Sequence, residues 1–301
     1  MRDEAVGLTE RQATLELVVD ARATVGEGPV WDATRSVLWW VDIPAGMVHC
    51  FEPRTGADRT VAVGSPVGAV ALRRDGTLLV ALAERLAVVD PDSGRLESLL
   101  SFAPGDRPLR CNDGKCDPAG RFWVGRMAPD GAPGEGALLR IDAHLALSER
   151  LTGLAIPNGL GWSLDGRRMY FVDSAWGEVR AYPYDPETGA MGDGRPLVQF
   201  PNDGSVPDGL TVDAEGHLWV ARWGAGCVVR IAPDGSIAGR VDLPVSQVSS
   251  GTFGGDDLGD LYITTAREDF SAADLAREPL AGGLFRCRPG VRGLPPIPFA
   301  G

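Results

Sequence analysis

Four side chains that end in oxygen recur in one phase along this chain. Glu27, Asn112, Asn158 and Asp208 each stand 10 or 11 residues ahead of an apolar segment: Leu38-Trp-Trp-Val-Asp-Ile43, Phe122-Trp-Val-Gly-Arg-Met127, Met169-Tyr-Phe-Val-Asp-Ser174 and Leu218-Trp-Val-Ala-Arg-Trp223. Gly68 and Ser250 hold the same phase ahead of Leu78-Leu-Val-Ala-Leu-Ala83 and Leu261-Tyr-Ile-Thr-Thr-Ala266. If the copies superpose, these six residues form one ring. Carboxylate and amide oxygens are hard ligands, suited to Ca²⁺, Mg²⁺ or Mn²⁺, and carboxylates also bind Zn²⁺ or Fe²⁺. The ring can therefore hold a divalent cation. A histidine-rich site is not expected, because His49, His144 and His217 fall on or beside outer strand positions or in a turn.

Arg110 precedes Asn112 by two and points the same way on an extended segment. Its guanidinium can hold a substrate oxygen. Asn158-Gly and Asp208-Gly are also ordinary turn pairs. Glu27 is not a turn residue, and Gly26-Glu-Gly-Pro29 offers it no helix to cap. The shared phase favours a site over four unrelated turns. The chain has no Gly-x-Ser-x-Gly elbow, no glycine-rich phosphate loop and no Cys/His pair placed as a dyad.

The elements that must position these residues follow from the repeat itself. The apolar segments begin at 38, 78, 122, 169, 218 and 261. A period of about 40 to 50 residues marks a β-propeller or array, whose copies bury their apolar faces on one another. Each copy reads as an inner strand, a polar turn such as Asp117-Pro-Ala-Gly120, the apolar strand, a third strand and a weaker fourth. The expected fold is all-β, a six-bladed propeller of four antiparallel strands per blade. Leu15-Glu-Leu-Val-Val-Asp20 would complete the last blade and close the ring, which removes exposed sheet edges. Residues 1–14 read as a flexible tail and residues 15–301 as a single propeller domain; Ala272 to Arg277 allows one helical turn.

A net charge of −12 makes nucleic acid and anionic membrane surfaces poor partners. Five cysteines without a Cys-x-x-Cys pair fit a reducing compartment, and Cys111 and Cys116 read as buried apolar side chains. The amino terminus lacks the apolar core of a signal peptide, and no uncharged apolar run approaches the length of a membrane helix. The expectation is a soluble cytoplasmic protein, a monomer or weak homo-oligomer.

The whole set of segments resembles the SMP-30/gluconolactonase/luciferin-regenerating (regucalcin-like) family of six-bladed propellers. The segments that carry the resemblance are Gly26-Glu-Gly-Pro-Val-Trp31, Arg110-Cys-Asn-Asp-Gly-Lys115, Asn158-Gly-Leu-Gly-Trp-Ser163 and Pro207-Asp-Gly-Leu210. It implies hydrolysis of a sugar lactone with one divalent cation in the central channel, identity open among Ca, Zn, Mn, Mg and Fe(II). By resemblance, Glu27, Asn158 and Asp208 match the ligands, and Asp208 also matches the general base. Arg110 and Asn112 match residues that bind the substrate's oxygens, and Asp130 stands near the place of a lid-loop glutamate, one methylene shorter. Three rivals remain: an esterase or organophosphate hydrolase on the same scaffold, a calcium-binding regulatory protein, and an interaction scaffold.

Overall fold

The computed structural model describes residues 14–102 and 107–301, so the expected loose tail lies almost wholly outside the described residues. Six four-stranded antiparallel sheets follow one another around a central channel. The innermost strands are Gly26–Asp32, Val67–Leu72, Arg110–Cys116, Pro157–Trp162, Val206–Val212 and Val248–Gly254, in blades one to six. Blade six takes its outermost strand, Glu16–Val19, from the start of the chain. That strand pairs with Leu284–Cys287, and Arg286 donates to Glu16 at 2.7 Å. The ring is thus closed by the amino-terminal strand, as expected.

The second strand of each blade explains the repeat. Val37–Asp42 and Leu78–Leu82 are buried at every position, whereas the outermost strand Ala57–Ala62 of blade one has no buried residue. A neighbouring blade covers each face of a second strand, so the strand reads as a continuous apolar run and not as an alternation. Aromatic rings carry the blade-to-blade contacts. Trp31 stacks on Tyr262 at 5.9 Å, Trp123 meets Trp162 at 6.3 Å and Trp219 meets Phe253 edge-on at 5.7 Å. Each such pair adds about 1 kcal/mol beyond the area it buries.

The turns that follow the inner strands are more than turns. The side chains of Asp117 and Asp213 are fully buried. Asp117 accepts from Trp123 Nε1 at 3.1 Å and from Arg121 and Tyr184; Asp213 accepts from Trp219 Nε1 at 3.0 Å and Arg230 Nε at 2.9 Å. These aspartates pin each blade's first two strands together from below, a role that a surface hairpin turn does not have.

The carboxyl-terminal segment crosses the far mouth of the channel. Gly293 bridges to Asp213 of blade five, Phe299 N donates to Leu72 O of blade two at 2.8 Å, and Ala300 N donates to Gly120 O of blade three at 2.9 Å. Leu294, Pro295, Pro296 and Ile297 line a chamber of about 350 Å³ between this strap and the channel floor. The described helices are Ala272–Arg277 and a single turn at Ser174–Trp176. All five cysteines are buried and unpaired. Among the described residues no helix is long and apolar enough to cross a membrane.

Candidate active site

Every innermost strand breaks register with its neighbour at the ring position. The irregularity falls between Glu27 and Val30, Val67 and Ala69, Cys111 and Gly114, Pro157 and Leu160, Pro207 and Leu210, and Val248 and Ser250. A bulge takes residues out of the ladder and re-aims their side chains. Asn112, Asn158 and Asp208 lie within such bulges, and Glu27 opens one.

Two devices hold these bulges in place. Asp42 accepts from Thr24 N at 3.0 Å and Val25 N at 3.1 Å, just ahead of Glu27. Asp173 accepts from Ala155 N at 2.8 Å and Ile156 N at 3.0 Å, just ahead of Asn158. The second device is glycine. A Cβ on Gly159 would stand 2.6 Å from Asp208 O, and one on Gly209 would stand 2.1 Å from Ser250 Oγ. The glycines of Asn158-Gly and Asp208-Gly therefore admit the next blade's backbone to the channel wall.

The expected cation ligands are all buried: Glu27 is 3 %, Asn158 5 % and Asp208 5 % exposed. Glu27 accepts from Gly28 N at 2.6 Å. Asn158 Nδ2 donates to Ser174 Oγ at 3.1 Å. Asn158 Oδ1 and Asp208 Oδ1 have no hydrogen-bond partner. Leaving a buried acceptor unmatched costs about 1–3 kcal/mol, so two of them at one place ask for a positive occupant. Burial raises the Glu27 carboxyl well above the usual range, and the charges of Asp208 and Asp113 push it further. Asp208 is also raised well above that range, first by burial and then by Asp113, against the pull of Asn158 and Arg110.

Asp113 and Lys115 complete the cluster. Asp113 accepts from Gly114 N at 2.7 Å, and burial raises its carboxyl against the pull of Lys115. Lys115 Nζ donates to Leu210 O at 2.6 Å; burial depresses its ammonium while Asp113 and Glu27 hold it up. Three buried carboxylates thus share one ammonium, a negative excess that a divalent cation would balance. Among the described residues no three His, Cys, Asp or Glu side chains converge at ligating spacing. A cation here would rest on two carboxylates and the Asn158 amide, with Asp113 outside that set.

A cavity of about 760 Å³ is walled by Phe102, Arg107, Arg110, Arg126, Pro129 and Glu268 among others; of the site residues Arg110 lines it, whereas Asp113 and Lys115 line the chamber under the strap. Arg110 Nη1 donates to Asn112 Oδ1 at 2.7 Å and to Cys111 O at 3.1 Å. Asn112 Nδ2 donates to Pro157 O at 3.0 Å, which ties blade three to blade four. Burial lowers the Arg110 pKa, and the charges of Glu268, Glu27 and Asp208 oppose that shift, which puts the guanidinium between cluster and cavity. Asp130 stands apart from these residues. It is exposed at the rim, where Arg107 Nη2 donates to it at 3.0 Å.

Asp113, Lys115, Ser174 and Glu268 carry no signal in the phase of the repeat. Asp113 follows Asn112, so strict alternation turns it away from the channel; the bulge overrides that rule. Ser174 opens the helical turn after the second strand of blade four, and Glu268 sits in the loop after the second strand of blade six, where no period applies.

Residues 25–267 match the model of the SMP-30/Gluconolactonase/LRE-like region. The chain belongs to this family. Within it, the chain is 40% identical over 286 residues to the pentonolactonase XacC of Haloferax volcanii, covering 94% of this chain and 97% of that one. It is 35% identical over 294 residues to the regucalcin of Gallus gallus, covering 95% and 98%. The crystal structure of a calcium-binding regucalcin from Agrobacterium tumefaciens superposes with a TM-score of 0.89 at 29% identity, covering 95% of this chain and 97% of that one. These relatives span the whole propeller, so the family resemblance of the sequence and the fold agree.

Proposed function

We propose that this chain hydrolyses a sugar lactone to the aldonic acid, with one divalent cation at the floor of the mouth cavity. The observation that carries the reading is the pair of buried oxygens without partners, Asn158 Oδ1 and Asp208 Oδ1, beside Glu27. Glu27, Asn158 and Asp208 would hold the cation, whose bound charge would polarise a lactone carbonyl and favour the oxyanion. Oxygen-only donors suit a hard ion.

The chain's own groups supply the rest. Arg110, held by Asn112, is placed to donate to the lactone's oxygens from the cavity wall. Asp208 accepts a proton from water as the water oxygen bonds to the carbonyl carbon. The ring C–O bond then breaks, and the same proton passes to the departing alkoxide, leaving a free hydroxyl and a carboxylic acid.

The reading draws support from the name of the Haloferax relative and from the calcium named for the Agrobacterium protein. An arginine-walled cavity over the cluster favours turnover over simple cation storage. The test is acid release, followed in a pH-stat, from gluconolactone and from pentonolactones, with a divalent metal series and with chelator. The expected result is cation-dependent hydrolysis that chelator abolishes. Hydrolysis at full rate in chelator would remove the cation from the reading, and no hydrolysis with any metal would remove the lactonase.

A further inference from the structure

We propose that Glu268 is the hydrogen-bond acceptor that makes this site select neutral polyhydroxy lactones over lactones bearing a free carboxylate. The inference rests on the lactonase reading and deepens it by naming the substrate class.

A sugar lactone presents hydroxyl groups, which donate as well as accept. The mouth cavity is rich in donors of one charge: Arg107, Arg110 and Arg126 all line it. Unopposed, three guanidiniums would draw an anionic ligand. All three are already engaged, Arg110 through Nη1 to Asn112 Oδ1 and Cys111 O. Arg107 donates to Asp130 at 3.0 Å, and Arg126 lies over the Phe102 ring with its Cζ 4.6 Å from the centroid. Arg110 is the guanidinium nearest the cluster, and Glu268 is the carboxylate that acts on it most strongly.

Among the described residues two carboxylates line the cavity, Glu84 and Glu268. Both are exposed; the Glu84 side chain is 78% exposed and lies 4.0 Å from Arg85, whereas Glu268 acts on Arg110. The Glu268 carboxylate has no hydrogen-bond or ion-pair partner among the described residues, although its own backbone is fixed. Ala266 N donates to Gln247 O at 2.9 Å, Arg267 N donates to Thr24 O at 3.0 Å, and Gln247 Nε2 donates to Glu268 O at 2.9 Å. A loop tied on both sides thus presents one free acceptor to the cavity that the tied donor Arg110 also lines. A polyol can bridge Arg110 and Glu268, giving to one and receiving from the other. A ligand carboxylate placed there meets a like charge instead.

The test compares wild type, Glu268→Gln and Glu268→Ala on a neutral aldonolactone, xylono-1,4-lactone, and on an aldarolactone, glucaro-1,4-lactone, which keeps one free carboxylate. Wild type should favour the neutral lactone. Glu268→Gln should raise KM for the neutral lactone by about tenfold with kcat changed less than about twofold, and raise kcat/KM for the aldarolactone by about tenfold, the scale of one charge-assisted contact. Glu268→Ala should shift the ratio in the same direction. A ratio of the two lactones that stays constant across the variants would overturn the role of Glu268 and leave the hydrolytic reading standing. A wild type that hydrolyses neither lactone would overturn both. A shift in kcat alone, equal for both lactones, would mark a structural effect and also overturn the proposal.

Discussion

On the proposed reading, Asp208 is the residue on which stability and function pull hardest in opposite directions. Its carboxyl is buried beside Glu27 and Asp113, with one oxygen unmatched. Without a cation, that arrangement works against folding, as a site built for charge does. Asp208→Asn should therefore lower lactone turnover by about 10²- to 10⁴-fold, the usual worth of a general base. The same variant, stripped of metal, should melt above metal-free wild type, because one of three crowded carboxylates has gone. Calorimetry on both apo proteins at neutral pH checks the sign. Glu27, Asn112, Asn158 and Asp208 were legible from their common phase, because every blade bulges at the same place. Asp113 was not, since the bulge inverts the facing that alternation assigns to it. Glu268 was not, since a loop residue inherits no period. The pairs Asn158-Gly and Asp208-Gly carry no sequence sign that the glycine serves the neighbouring blade.

At the scale of the element, carboxylates set the shape of each strand end. Asp173 binds the two amides that lead into the bulge of blade four, which carries Asn158. Asp173→Ala should free those amides and let Asn158 drift, with metal affinity falling at least about tenfold, as loss of an outer-shell support does. Titration of the variant with a divalent ion, read by calorimetry, tests it. Asp117 supports the frame instead. Its removal leaves Arg121 buried without its carboxylate, so Asp117→Ala should cost about 3–5 kcal/mol in denaturant unfolding. The sequence showed Asp117-Pro-Ala-Gly120 as a turn, and the turn is there. Local chemistry could not show its side chain turned inward, because burial there depends on Trp123, Arg121 and Tyr184 arriving together.

At the scale of the whole molecule, the proposed ion would be held from three separate blades, so its occupancy would couple to the ring. Glu27, Asn158 and Asp208 come from blades one, four and five. A cation held among them cross-links the circle in the folded state only. Saturation at about 100-fold above Kd should add about 2.7 kcal/mol, and chelator should lower the melting temperature correspondingly. The propeller itself was legible in full, down to the closing strand, because a period of this length has few structural solutions. The strap at the far mouth was not, since residues 290–301 belong to no repeat. That strap has a kinetic consequence. With the rear of the shaft spanned by Leu294 to Ile297, the doorway among the described residues is the mouth walled by arginines. A newly formed aldonate must back out the way its parent came in, and it lingers where incoming lactone would sit. Added aldonate should accordingly raise the apparent KM and leave kcat untouched, so that long reactions slow well before the lactone is spent.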